Sequence, residues 1–104
     1  MQTFSKRSIR TEHMEKAAEI LRTMAHPVRL QIIDLLEGGE KTVSELSQNL
    51  DTPQPYMSQQ LNLMKSKSIL GSRRDGNQVY YWIANLSVVK VIHCINQHGE
   101  EGGI

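Results

Sequence analysis

Residues 54–65 read Gln-Pro-Tyr-Met-Ser-Gln-Gln-Leu-Asn-Leu-Met-Lys, and at 3.6 residues per turn this order separates two chemistries. Met57, Leu61 and Met64 stand at i, i+4 and i+7 and share an apolar side, while Ser58, Gln59 and Asn62 share the opposite one. The outward side is short-chained, rich in amides and nearly free of acid. Such a side suits base edges in a DNA major groove, because a carboxamide offers adenine a donor and an acceptor together. A second polar group flanks Asp75-Gly76: Arg73, Arg74, Asn77 and Gln78 are all donors. Donors at a hairpin tip suit a phosphate backbone or a minor groove, although a solubilising turn would also be polar.

These groups need elements to hold them. Thr11 can cap a first helix whose apolar positions Met14, Ala17, Ala18, Leu21, Met24 and Ala25 follow the i, i+3, i+4 rule. His26-Pro27 interrupts it, since a residue before proline is pushed out of the helical region. A second helix over 28–37 is dense in Leu30, Ile32, Ile33, Leu35 and Leu36, and Gly38-Gly39 stops it. Thr42-Val43-Ser44-Glu45 reads as a capping box opening a third helix with Val43, Leu46 and Leu50 on its buried side. Asp51-Thr52-Pro53 then forms a turn, with Pro53 suited to the first position of the 54–65 helix. Two short helices so joined make a helix-turn-helix whose second member is the reader.

Downstream, strand-like runs at 69–74 and 77–83 surround Asp75-Gly76, a strong hairpin signal, and Val79, Tyr81 and Ile83 alternate with Tyr80 and Trp82. Asn85 or Ser87 can cap a final helix through Val88, Val89, Val91, Ile92 and Ile95, ending near Gly99. That helix is apolar around more of its girth than one neighbour buries, so pairing with a second copy through the first and last helices is expected. The expected organisation is a flexible arm at 1–10, one DNA-binding and dimerisation domain at 11–98 and a flexible tail at 99–104.

The 104 residues, 38% hydrophobic and 22% charged, are enough for one globular domain. No apolar run approaches the roughly 18–20 residues of a membrane span, and the first ten residues hold no hydrophobic signal region. The lone cysteine, Cys94, excludes an internal disulfide framework and a four-cysteine zinc site. A cytoplasmic protein without membrane partners is expected. The net charge of +1 hides a separation: residues 12–51 carry eight acids against four Lys and Arg, whereas residues 52–83 carry four Lys and Arg against one Asp. Positive charge beside the amide-rich helix is what phosphates require, because fields decay within about 10 Å in physiological salt. No nucleophile, base and orienting group occur at a recognisable spacing, and no glycine-rich phosphate loop is present, so an enzyme is not expected.

Several strings carry a further likeness. Met24-Ala-His-Pro-Val-Arg-Leu-Gln-Ile-Ile-Asp-Leu-Leu36, Ser44-Glu-Leu-Ser47, Gln54-Pro-Tyr-Met-Ser-Gln-Gln-Leu61 and Arg73-Arg-Asp-Gly-Asn-Gln-Val-Tyr-Tyr81 together resemble the ArsR/SmtB family of bacterial repressors, in order and at family-like spacing over about residues 12–98. The resemblance implies a mainly helical winged helix-turn-helix with one small β-hairpin, a homodimer that binds a double-stranded DNA operator and is often released by an inducer. It implies reading contacts at Gln54, Ser58 and Gln59, with Asn62 and Lys65 added from the same helix, and a wing contact set of Arg73, Arg74, Asn77 and Gln78. Thr52-Pro53 departs from the serine cap usual before the Gln-Pro pair.

The family's sensor sites are mostly vacant of ligands here. Where the arsenic or cadmium type carries Cys-Val-Cys, this chain has Thr42-Val43-Ser44, which removes a soft thiolate site. The positions of the zinc type fall on Asn85, Ser87, His98 and Glu101, and the first two are poor zinc ligands. Cys94, His98 and Glu101 fall at i, i+4 and i+7 and are weak metal candidates; no cofactor is otherwise expected. The dithiol type pairs a second-helix cysteine with one in the last helix, and Asp34 holds the second-helix place, so Cys94 has no partner within the chain. A DNA-binding repressor is therefore the leading expectation. The alternatives are a winged-helix protein-interaction module and an effector-independent repressor controlled by a partner.

Overall fold

The computed structural model describes residues 11–100, with side chains to residue 97. In chain order the elements are α1 (Thr11–Met24), α2 (Pro27–Leu36), β1 (Lys41–Thr42), α3 (Val43–Leu50), α4 (Gln54–Ser66), β2 (Leu70–Asp75), β3 (Gln78–Ile83) and α5 (Ser87–Glu100). The break between α1 and α2 falls at His26 because its backbone is extended ahead of Pro27, and its ring supplies the cap: Nδ1 accepts from the Val28 amide at 3.2 Å. At the other end α5 is described through Glu100, next to Gly99, near which its end was expected. The arm expected at 1–10 lies outside the described residues, as do residues 101–104 of the tail.

The hairpin has a third partner that the sequence reading did not contain. Lys41 and Thr42 pair antiparallel with Tyr81 and Tyr80, giving a sheet in the order β1-β3-β2. Two residues are too few to display a period of two, so β1 leaves no pattern of its own. Thr42 also caps α3: its hydroxyl accepts from the Glu45 amide at 3.1 Å, and the Glu45 carboxylate accepts from the Thr42 amide at 2.8 Å. One residue thus joins the sheet to the first helix of the helix-turn-helix.

Two local details differ from the expected ones. The β2–β3 register pairs Asp75 with Gln78, so the turn is Gly76-Asn77 rather than Asp75-Gly76. Gly76 has φ +64° and Asn77 does not enter the positive region, the requirement of a hairpin turn with glycine first. Pro53, expected inside α4, occupies its cap position, and no side chain caps that end.

α3 and α4 both finish in left-handed residues, Asp51 at φ 53° and Ser68 at φ 64°. After α4 the Ser68 amide donates to the Lys65 carbonyl at 2.9 Å and the Ile69 amide to that of Met64 at 3.0 Å. These are the two bonds of a Schellman motif, and its hydrophobic contact is Met64 with Ile69. The stop of α4 is therefore local, although no glycine marks it.

The core sits between α2, α3, α4 and the sheet. Ile32, Ile33, Leu46, Met57, Leu61, Met64 and Ile69 are fully buried, with Tyr81, Val88 and Ile92 beside them. Burial of each such aliphatic side chain stabilises by about 1.5–3 kcal/mol. The expected inward side of the 54–65 helix is thus the observed one. Lys67, just past α4, holds Glu19 of α1 at 2.6 Å and keeps that carboxyl below the usual carboxylate range. Among the described residues no helix is long and apolar enough to cross a membrane.

Candidate nucleic-acid interface

Because Met57, Leu61 and Met64 are drawn inward, α4 must turn Gln59 and Asn62 to solvent, with Ser58 half-exposed beside them. Gln54 and Lys65 are exposed at its two ends. The amides of this helix are not equivalent. Gln60, next to Gln59, turns inward and is 8% exposed. Its Oε1 accepts from Arg29 Nε at 2.8 Å, and Arg29 Nη1 donates to the Thr23 carbonyl at 2.9 Å. One guanidinium thereby ties the end of α1, α2 and the middle of α4 together. Arg29 was not among the sequence candidates; its signal is the one cation in a helix whose other residues are mostly apolar. Arg29→Ala strands a buried amide and is expected to cost about 1–3 kcal/mol in denaturant unfolding. Adding Gln60→Leu should recover part of that loss, and an Arg29→Ala protein of unchanged midpoint would refute the assigned role.

Two other amides have partners. Gln54 Nε2 donates to Ser44 Oγ of α3 at 2.8 Å, which orients the start of α4 against its neighbour. Asn62 Oδ1 accepts from the Tyr81 hydroxyl at 3.0 Å, across the gap between α4 and the wing. Burial pushes the Tyr81 phenol up, so it remains a donor through neutral pH. Gln59 is left as an exposed amide with no partner among the described residues.

The wing arginines also divide. Arg73 lies over the Tyr80 ring at 4.4 Å, with Nη2 on Glu40 at 2.8 Å and Nη1 3.8 Å from Asp75. The hydrogen bond to Glu40 holds its guanidinium above the ordinary value. Arg74, one residue on and facing the other way, is exposed with no ion pair among the described residues. Asn77 and Gln78 are exposed at the tip. Between α4 and the wing runs a polar cleft of about 420 Å³, bordered by Ser58, Asn62, Lys65, Ser72 and Arg74 among others, with no carboxylate in its lining. With Lys67 committed to Glu19 and Arg73 to Glu40, the positive charge available here is that of Lys65 and Arg74.

The sensor positions are placed more sparsely. Asn85 Oδ1 accepts from the Ser87 amide at 3.0 Å, so Asn85 serves as a cap for α5. Cys94 is a free, exposed thiol. The His98 side chain and Glu101 lie outside the described residues, and among those described no three His, Cys, Asp or Glu side chains gather as a metal site. His93 Nε2 meets the Glu37 carboxylate, linking α5 to the end of α2. On the far side of α5 an apolar groove of about 480 Å³ runs along α1, lined by Ile20, Leu21, Met24, Val88 and Val91, with His13 and Lys16 at its edge.

Comparison with known proteins places this arrangement among regulators. The family model described as bacterial regulatory protein, arsR family, matches residues 26–68. The transcriptional repressor PagR of Bacillus anthracis is 37% identical over 97 residues, covering 92% of this chain and 97% of the relative. The crystal structure of the transcriptional repressor BigR from Xylella fastidiosa superposes with a TM-score of 0.78 at 30% identity, over 88% of this chain and 93% of that one. A homodimeric winged helix-turn-helix DNA-binding domain from Mycobacterium bovis gives a TM-score of 0.76 at 27% identity, over 88% and 85% of the two chains.

Proposed function

Because the chain belongs to the ArsR family of bacterial regulatory proteins, whose winged helix-turn-helix architecture it shares, we propose that it is a homodimeric, sequence-specific repressor that grips a double-stranded DNA operator. Residues 11–98 act as the DNA-binding and dimerisation domain. The observation that carries the reading is the acid-free cleft that joins the exposed face of α4 to Arg74 of the wing. Gln59 enters the major groove as the principal base reader, with Gln54 and Ser58 beside it. Lys65, Arg74, Asn77 and Gln78 hold the backbone, and Arg73 stiffens the wing through Glu40. The operator is released by an inducer or by a partner, and the emptied thiolate position at Thr42-Val43-Ser44 directs that search away from soft metals.

The test is duplex binding across a salt series, with duplexes selected from a random pool and unrelated controls. Gln59→Ala should remove about 1–3 kcal/mol of discrimination between selected and unrelated duplexes while leaving the salt slope unchanged. Arg74→Ala should weaken all duplexes alike and reduce the slope by about one per protomer. Affinity that neither falls with salt nor prefers any sequence would overturn the repressor reading and favour a protein-interaction module.

A further inference from the structure

The Asn62 carboxamide sits at the cleft between α4 and the wing with one edge already engaged. Tyr81, 4% exposed and held in β3 opposite Ser72, donates its hydroxyl to Asn62 Oδ1 at 3.0 Å. A phenol has one proton to give, and giving it to Oδ1 keeps that oxygen toward the wing and leaves the two Nδ2 hydrogens for an incoming ligand. The surroundings are donors as well: the hydroxyls of Ser58 and Ser72, the Lys65 ammonium and the Arg74 guanidinium all border the cleft, and no carboxylate does. Recognition of adenine by an amide uses its oxygen and its nitrogen together. With Oδ1 turned toward Tyr81, Asn62 presents its Nδ2 hydrogens to the cleft, beside two cations and two hydroxyls that can also donate.

We infer that Asn62 is a contact to a backbone phosphate rather than to a base, donating from Nδ2 to a phosphate seated in this cleft with Lys65, Ser72 and Arg74, and that Tyr81 is the positioning residue which fixes it so. The inference rests on the DNA-binding reading above and refines it. Asn62 leaves the base-reading set, and Ser72 joins the interface. The division of labour follows: Gln59, which no neighbour constrains, carries sequence information, and the wired amide three residues later sets the register of the helix on the duplex.

The full chain is tested against the same duplex panel and salt series. Asn62→Ala should weaken every duplex by a common factor of roughly ten or more, with base preference retained. Its salt slope should not move, because a neutral donor releases no counterion. Asn62→Asp keeps an oxygen for Tyr81 but sets a carboxylate against the phosphate, so its loss should exceed that of Asn62→Ala at low salt and narrow as salt rises. A merely structural Asn62 would tolerate that change. Tyr81→Phe, which retains the buried ring, should reproduce the loss of Asn62→Ala, with the double variant no weaker than either. Thermal melts of each variant establish that the fold is retained.

A base preference altered in Asn62→Ala, or duplex binding by Asn62→Asp equal to that of the unaltered chain, would overturn the phosphate assignment alone. Undiminished binding by Tyr81→Phe would overturn the positioning role. Absence of salt-dependent duplex binding by the unaltered chain would instead remove the DNA-binding reading, and the inference with it.

Discussion

Val91→Asp is expected to turn the protein into monomers and to lower its affinity for a two-half-site operator by at least two orders of magnitude. The argument begins with surface that a lone protomer leaves wet. Met14 and Leu21 of α1 are 59% and 52% exposed, and Val91 and Ile95 of α5 are 37% and 47% exposed. Leu21 and Val91 line one apolar groove together. Isolated exposed aliphatics are ordinary, but Leu21 and Val91 face one groove between two helices, a surface that association would remove from water at roughly 25 cal/mol per Å². In a two-fold pairing each substitution appears twice, and an unpaired carboxylate buried in such a seam costs several kcal/mol per ion.

The effect on DNA follows from geometry. A dimer binds its second half-site as an intramolecular step, and tethering of this kind raises avidity by about 10²–10⁴. Sedimentation would report the change of mass, and binding to duplexes with one or two half-sites would report the lost tether. The monomer should bind a single half-site as well as one protomer of the unaltered dimer does. A Val91→Asp protein that sediments as a dimer would place the interface elsewhere.

The second large effect is on stability. Leu61→Ala should cost about 2–5 kcal/mol, since Leu61 is fully buried among Ile32, Ile33, Leu46, Met57, Met64 and Ile69 and the backbone around it can close only partly. For a domain whose whole stability is about 5–15 kcal/mol this is a large share, and a fall in Tm of ten degrees or more is expected. Gln59→Ala, two positions earlier on the same helix, should leave Tm within a degree or two because that side chain is exposed and has no hydrogen-bond partner among the described residues. The pair separates the two faces of α4: one substitution removes stability and spares base preference in the molecules still folded, and the other does the reverse. Equal Tm losses in both would mean that the helix is rotated from the orientation described.

How far the sequence carried depended on the range of each interaction. The Thr42–Glu45 capping box spans three residues, and the apolar side of α4 repeats within two turns, so both are written in consecutive letters and both stand as read. The resemblance supplied the family, which periodicity had not reached, whereas the pairing of two copies was already suggested by the apolar girth of the last helix. The turn at Gly76-Asn77 was missed by one residue because Asp75-Gly76 and Gly76-Asn77 both suit tight turns, and only the pairing of Asp75 with Gln78 chooses between them.

The remaining differences lie in contacts between elements. Arg29 meets Gln60 across 31 residues, Tyr81 meets Asn62 across 19 and Gln54 meets Ser44 across 10; two-residue β1 exists only because β3 passes beside it. By itself the sequence determined that α4 would bury Met57, Leu61 and Met64 and show Ser58, Gln59 and Asn62 to solvent, because that division follows from helical period and side-chain polarity alone. That Gln59 is free, Asn62 held by a tyrosine and Gln60 sunk against an arginine was decided only by how the helices and the wing dock, since a hydrogen bond depends on where its partner lies and no local pattern records that.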